Sequence, residues 1–419
     1  MKRFLLAAAL AAPLAGAPVA AQSFESSFGD LSQDSYATIT DIEALGSGGA
    51  FAASPTLDSP FFGNPAHLAQ SRLVGFTVVG ATAGAGGNVR ETYDFYDQEL
   101  GPALEAGLDS LRENDPARLN DLYASALRVG RSQKTAQLAV LAPSLRVRTG
   151  PVAAGAGVFG RAVSRARIVD AGAGLPAIDA YAQGDLLVPA VVAVRVPGAP
   201  FGLSLGASAI YLQRRITAKS EVVDAIDPDN EKAHLLKGQT VRFGVGATVR
   251  DVLLRGLDLG ASVMDIGGNV EFELDRSFAI EGSGDRTADD EAEVAALAAR
   301  FEERGAQPRV RVGGAYRVPL PPLSGLAVKN VAVALDYTTA STSHADQSVQ
   351  AGLRAGATAT LASVLNLRAG ISQGMPSAGV GIHTKVARLS GATYGVEDGR
   401  LLGQSRRRAY AVQLRFGLF

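Results

Sequence analysis

From Leu73 to the C-terminus, apolar and polar or small residues alternate with a period of two. Val310, Val312, Tyr316 and Val318 interleave with Arg309, Arg311, Ala315 and Arg317. Val331, Val333, Leu335 and Tyr337 interleave with Ala332, Ala334, Asp336 and Thr338, and Val241, Phe243 and Val245 with Arg242, Gly244 and Gly246. The last segment sets Tyr410, Val412, Leu414, Phe416 and Leu418 against Ala411, Gln413 and Arg415. Side chains alternate faces along a strand, so each segment predicts a strand with one apolar face. About fourteen segments read this way. They lie near 73–87, 135–148, 151–168, 180–196, 201–217, 238–250, 256–276, 307–318, 327–341, 347–360, 365–372, 376–386, 387–395 and 406–419. Most run ~8–15 residues, which suits tilted membrane-spanning strands of about 9–11 better than soluble strands of ~5–6.

The joins carry independent information. Thr149-Gly150-Pro151, Pro197-Gly198-Ala199-Pro200 and the stretch Asp251–Arg255 are tight turns. Between them fall longer joins at 88–134, 169–179, 218–237 and 277–306. A transmembrane barrel sorts its connections in this way, with short turns at one rim and long loops at the other. Two long joins carry helical spacing. Leu100, Leu104, Leu108 and Leu111, then Leu119, Leu122, Ala126 and Val129, mark one face twice, interrupted at Asp115-Pro116. Val294, Leu297 and Phe301 repeat it within Ala288–Arg304. Such helices fit a lid over the barrel rim, or a groove for an apolar ligand.

Composition removes other classes. There is no Cys, which excludes disulfide scaffolds, thiolate metal sites and cysteine nucleophiles. A net charge of −1 argues against nucleic-acid binding. The four His (67, 234, 344, 383) lack metal-ligand spacing, so no metal and no cofactor is expected. Asp224, Asp227, Asp229 and Glu231 share one loop and read as solvated rather than calcium-binding. Gly202-Leu203-Ser204-Leu205-Gly206 matches a nucleophile elbow and Gly155–Gly160 a dinucleotide fingerprint, but both lie inside alternating strands where the required helix is missing. No catalytic residues are assigned and no enzyme is expected. Residues 1–21 read as a signal peptide: Lys2 and Arg3, the apolar run Phe4–Leu14, then Val19-Ala20-Ala21. Export without cysteine suits the bacterial outer membrane of a Gram-negative cell.

The stretch before the first strand lacks alternation. It contains Ala44-Leu45-Gly46-Ser47-Gly48-Gly49-Ala50, then Phe61-Phe62-Gly63-Asn64-Pro65-Ala66. This resembles the N-terminal segment of the FadL-type outer-membrane β-barrel superfamily, which includes fatty-acid and hydrocarbon channels, PorV-like secretion barrels and TraF-like conjugation proteins. Gly370–Gly381 and the final strand Arg408–Phe419 are similar to the late hairpins of the PorV- and TraF-like branches. The resemblance implies an all-β fold: a 14-stranded antiparallel transmembrane β-barrel with an N-terminal hatch and helical extracellular loops. It implies a hatch over 22–72, a barrel over 73–419, and Asn64-Pro65-Ala66 pinning hatch to wall. Three departures stand out. His67 replaces a usual Gly, Trp is missing, and Phe419 is out of phase with the even, apolar set 410–418, as if it turned outward past the strand end.

If the apolar face meets lipid, the other face is the lumen. It carries Arg146, Arg148, Arg242, Arg250, Arg309, Arg311, Arg317, Arg354, Arg368 and Arg415. The favoured reading is a structural network that pairs them with acids of the hatch and wall, the available hatch acids being Glu25, Asp30, Asp34, Asp41, Glu43 and Asp58; the other reading is a basic constriction for anionic ligands. Arg406, Arg407 and Arg408 form a candidate lipopolysaccharide contact. The expected partners are outer-membrane lipid, lipopolysaccharide, the barrel assembly machinery and a hydrophobic ligand, with no nucleic acid. The resemblance implies passive passage of hydrophobic or amphipathic small molecules such as long-chain fatty acids. Its alternative is a non-transporting barrel that works with secretion or conjugation proteins.

Overall fold

The computed structural model describes residues 41–130, 134–170, 172, 175–222, 232–268, 270–279, 288–302, 308–319, 328–339, 349–397 and 406–419. The expected signal peptide, the first part of the expected hatch with Glu25, Asp30 and Asp34, and the acids Asp224–Glu231 lie outside the described residues.

The wall consists of β1 (Val74–Gly86), β2 (Lys134–Thr149), β3 (Val152–Asp170), β4 (Pro176–Arg195), β5 (Ser204–Val222), β6 (Lys232–Val249), β7 (Leu257–Ile266), β8 (Glu271–Ala279), β9 (Arg309–Val318), β10 (Val328–Thr338), β11 (Leu353–Leu361), β12 (Leu365–Ser372), β13 (Met375–His383), β14 (Ala387–Glu397) and β15 (Arg406–Leu418). All pairings are antiparallel, β1 pairs with β15, and β5 pairs with β6, so the sheet closes on itself. β7 and β8 share one stave. The first pairs with Phe243–Val249 and the second with Lys232–Gln239 of the same β6. The fifteen strands therefore make a closed 14-stranded barrel. The expected single strand over 256–276 is broken because Gly267 and Gly268 take φ of 73° and 76°, a left-handed bend that no extended strand tolerates.

Alternation decides which way each side chain faces. On β15 the even residues 410–418 are exposed, and Arg407, Ala409, Ala411, Gln413 and Arg415 are buried. Val192, Leu205, Val245, Leu259, Val312, Ile371 and Val380 likewise point outward. That exposure costs nothing in hydrocarbon, while the closed ladder satisfies the backbone where no water is present.

The two rims differ. The near rim holds both ends of the barrel chain and the turns at 150–151, 196–203, 250–256, 362–364 and 384–386. The far rim carries α-helical connections. α3 (Val89–Phe95), α4 (Gly101–Ala106), α5 (Leu108–Asn114) and α6 (Pro116–Gly130) follow β1, and α7 (Ala288–Glu302) follows β8. The chain between α5 and α6 breaks at Asp115-Pro116, where the proline cannot continue the preceding helix. Two short helices, α1 (Ile42–Gly46) and α2 (Ser59–Phe62), precede β1 and lie inside the barrel. The long joins expected at 169–179 and 218–237 are largely strand, since β3 reaches Asp170, β4 starts at Pro176, and β5 and β6 extend to Val222 and from Lys232. Polar interior pairs such as Arg167–Asp179 keep that hairpin zipped where apolar alternation has already faded. β2–β6 run 16–20 residues and β11–β13 only 8–9, so the far rim is tall on one side and low on the other.

The outward assignment is testable on β15. Val412→Arg should cost about 2–4 kcal/mol, the depth-dependent cost of a lipid-facing charge. Urea unfolding of the protein in phospholipid vesicles measures it.

Candidate functional site

Residues 41–70 cross the inside of the barrel as a plug. α1 (Ile42–Gly46) lies against β12–β15, and Asp41 caps it by accepting the Ala44 N–H at 3.0 Å. The chain then passes β10, and Asp336 accepts the N–H groups of Phe51 and Ala52 at 2.6 Å each. α2 (Ser59–Phe62) and a 3-10 turn (Pro65–Gln70) carry it to β3–β6. The plug backbone runs so close to the wall that side chains do not fit between them. A Cβ at Gly206 would lie 2.4 Å from the Pro65 carbonyl carbon, and one at Gly48 would lie 2.5 Å from the Ala355 oxygen.

Asn64 is wholly buried. Its amide donates to Ala52 O (3.0 Å) and, across the gap, to Ala247 O of β6 (3.2 Å), and its oxygen accepts the Ala66 N–H. Pro65 and Ala66 begin the 3-10 turn beside it. His67 bridges two other plug segments: Nδ1 lies 2.8 Å from Ser59 Oγ and Nε2 3.0 Å from Ala52 O. The carbonyl can only accept, so Nε2 carries the hydrogen and Nδ1 accepts from the serine. The sequence marks His67 as a departure from the family pattern but not as this staple. Phe61 and Phe62 pack on Phe159 of β3, at 5.5 and 4.9 Å between ring centroids.

The predicted interior arginines divide into three groups. Arg415 grips Asp58 with both nitrogens, and Arg368 meets Glu43 at 3.3 Å, so two of the named hatch acids are partners. Arg388 and His383 also contact Glu43. Arg146 and Arg148 donate to plug carbonyls, Leu57 O and Ala69 O, while Arg311 reaches Gly49 O at 2.6 Å and stacks 3.8 Å over the Phe51 ring. The third group pairs with wall acids the sequence reading did not nominate. Arg242 and Arg309 meet Asp265, and Arg311 meets Asp336. Arg317 meets Asp258 and Asp251 at the near rim, half-exposed rather than against the plug. Asp258, Asp265 and Asp336 were hidden because each is an aspartate at one position of an otherwise ordinary strand, and Asp251 because it lies in a turn.

Two sequence expectations change here. Phe419 does not turn outward: its ring is buried, 4.8 Å from the Arg388 guanidinium, because odd positions of β15 face inward. The triplet Arg406–Arg408 cannot act as one patch, since Arg406 and Arg408 are exposed while Arg407 is buried in the interior. The two motif look-alikes sit in β3 and at the start of β5, with Ser204 fully buried. Among the described residues no His, Asp and Glu cluster could hold a metal ion.

The tall side of the barrel has a layered interior. Nearest the plug are Leu141, Phe159, Leu187, Ile210, Leu212 and Met264. Above them Asp185 of β4 is held by Arg214 through two bonds (2.8 and 3.0 Å), by Arg161 (2.9 Å) and by Gln183 (2.6 Å). Above that belt Tyr181, Ile216 and Leu236 pack against Leu297 of α7, so this loop helix lies on the inner wall. The helices α3–α6 form their own core around Phe95, Leu111, Leu122 and Tyr123.

No protein-family model matches the chain, and no curated protein sequence does. Solved structures with a similar fold include the toluene transporter TodX of Pseudomonas putida (10% identity, 89% of this chain and 96% of that one, TM-score 0.45). A FadL homologue of Pseudomonas aeruginosa gives 10% identity, 90% and 98% coverage and a TM-score of 0.46. The chain is similar to FadL-type barrels. The autotransporter translocator domain NalP of Neisseria meningitidis, at a TM-score of 0.37, 10% identity and coverage of 82% and 88%, shares the barrel form.

Charge inside the plug is finely set. Burial, then the charges of Asp58 and Glu43, lift Asp41 to about 7. Burial opposes the charge on Glu43, but Arg368, Arg388 and His383 outweigh it and hold that carboxyl at about 2. Burial pushes His67 down to about 4, so it is neutral at pH 7. Raised Asp41 favours the seated plug below its ordinary value near 3.8, and that gain is lost as pH rises through about 7. The lowered His67 and Glu43 act oppositely, losing their contributions as pH falls from about 6.5 to 4 and from about 4.5 to 2. Asp41→Asn keeps the helix cap and should abolish the Asp41-driven loosening of the plug between about pH 4 and 7, read as hydrogen exchange at residues 42–52. Arg415→Met should strand the Asp58 charge and cost about 3–5 kcal/mol of plug seating. The double variant Arg415→Met/Asp58→Leu should recover most of it, measured by proteolysis of the plug.

Proposed function

We propose that this protein is an outer-membrane channel for passive movement of hydrophobic or amphipathic small molecules, with long-chain fatty acids as the compounds to test first. The observation that carries the reading is the apolar inner surface of the tall side. A water-filled pore has a polar lining. Here Leu141, Phe159, Leu187, Ile210, Leu212 and Met264, on the inward faces of β2–β5 and β7, instead pack in one apolar core with Phe61, Phe62 and Leu68 of the plug, and the apolar character resumes above the Asp185 belt at Ile216, Leu236 and α7. A hydrophobic compound that passes the far-rim helices and displaces the plug's Phe61 and Phe62 would take their place on that surface.

The layering also says what each part contributes. The loop helices cover the far rim, their apolar faces packed on one another and, for α7, on the inner wall. The Asp185 belt is a charged collar where an amphiphile's polar end loses least by leaving water. The plug closes the near end, and passage requires its contacts to yield, which the network around Glu43, Asp58 and Asp336 makes a cooperative event. Arg406 and Arg408, outward at the far rim, are the pair left to meet lipopolysaccharide phosphates.

Vesicles containing the purified protein should take up a fluorescent long-chain fatty acid faster than protein-free vesicles. Leu212→Asp, which puts a charge into the apolar layer, should weaken binding about tenfold, equal to ~1.4 kcal/mol, with the folded barrel confirmed by its heat-modifiable gel mobility. Equal uptake with and without protein would sink the proposal.

A further inference from the structure

The near rim displays apolar side chains that neither the sheet nor the plug uses. In the turn between β4 and β5, Phe201 has φ 62° and is 54% exposed. In the turn between β6 and β7, Leu253 has φ 61° and is 87% exposed, and Leu254 is 61% exposed. Left-handed backbone is costly for bulky side chains, so both turns hold strain. The turns are joined, Arg250 N–H donating to Phe201 O at 2.7 Å. The second turn is also tied firmly from within. Val252 N–H donates to Leu257 O (2.8 Å), Leu257 N–H to Leu254 O (3.0 Å), Gly256 N–H to the Asp251 carboxylate (2.7 Å) and Arg317 N–H to Gly256 O (2.9 Å). A well-bonded turn that leaves two leucine side chains mostly exposed presents them to something.

The height of the lipid-facing band indicates what that is. On β6 the outward apolar run is Val241, Phe243, Val245, Ala247 and Val249, with exposed polar Gln239 just above. At ~3.4 Å per residue and a tilt near 40°, that run spans only about 20 Å of the ~25 Å apolar band of such barrels. Leu253 and Leu254 continue it from the end of the same strand, and Phe201 continues the band below Leu205 on β5. Around them lie Arg250, Arg255 and Arg317 against Asp251 and Asp258, an excess of positive charge at the depth where phosphates begin.

We propose that these two turns are seated in the phospholipid leaflet on the plug side, with Phe201, Leu253 and Leu254 in the acyl boundary and the neighbouring arginines at the headgroup phosphates. The seat holds the tall sector of the barrel at a fixed depth, independently of what the barrel conducts.

The chain has no Trp, so single reporters read depth without background. Leu253→Trp and Phe201→Trp would be made in the full chain, with Tyr410→Trp as the lipid reference and Tyr93→Trp in the far-rim helices as the water reference. Each is reconstituted into phosphatidylcholine vesicles, with and without phosphatidylglycerol, and its folding checked by heat-modifiable mobility. Emission at 253 and 201 should be quenched by lipids brominated high on the acyl chain at least threefold more than at 93, and shielded from iodide. Arg255→Glu should reduce that quenching more when phosphatidylglycerol is present. Iodide quenching at 253 and 201 equal to that at 93 would overturn the proposal. So would shielding that appears only when a soluble protein is added, which would make the patch a protein-docking surface. If one reporter variant does not fold, the other reads the same depth.

Discussion

Closing the sheet between β5 and β6 leaves each wall residue two destinations, hydrocarbon or interior, with no third option of exposure to water. The chain's other properties follow from that division. Apolar residues can be spent on the outside, so the interior need not be a hydrophobic core of the usual kind. Arginines, which are costly at the lipid face, collect on the inner face of β2, β6, β9, β12 and β15. Once inside they are desolvated and need acceptors. The plug answers much of that demand with carboxylates at Glu43 and Asp58 and with backbone carbonyls at Gly49, Leu57 and Ala69.

The plug is therefore less a stopper dropped into a finished pore than the missing half of the wall's electrostatics. Removing one partner of a buried pair costs more than the pair itself contributes, because the other charge stays behind. Partial withdrawal of the plug would leave Arg415 and Arg368 without their plug carboxylates and take two donors from Asp336 together, so intermediate positions are disfavoured and the plug tends to be seated or released as a unit. The polar contacts are laid over close backbone approaches, at Gly206 and Gly48 for example, that only a glycine-bearing wall and plug allow. Apolar packing of Phe61 and Phe62 on Phe159 adds the non-directional part.

Most of the wall was legible because period-two alternation is imposed by burial, and burial differs sharply between lipid and lumen. β12 and the break at Asp115-Pro116 could be read residue by residue for that reason. Legibility failed where alternation lost its chemical contrast. The upper parts of β3–β6 face loops rather than lipid on one side, so their polar residues read as connections. The split of one stave into β7 and β8 rests on two glycine dihedrals that no hydropathy pattern records. Within the site, Asn64 and the arginines stood out by motif and by charge. Asp336 and Asp185 did not, because their meaning is a match to residues far away in sequence, 285 residues in the case of Phe51. His67 was visible only as an oddity. Its role depends on the plug folding back so that Ser59 and Ala52 meet its two nitrogens.

The near-neutral net charge of the sequence conceals a vertical order. Positive and negative groups meet at the plug, meet again at the Asp185 belt and meet once more at the near-rim turns, with apolar layers between. In the plug and belt layers the opposite charges sit within contact of each other. That arrangement suits cargo whose interaction with the wall is chiefly area removed from water, because such cargo is indifferent to position within an apolar layer and is detained only at the charged collars. It also separates two demands on the same strands. In the proposed channel the outer face would set the barrel's depth in the bilayer, and the inner face would set where a passing molecule pauses. Alternation lets one sequence satisfy both without either constraining the other.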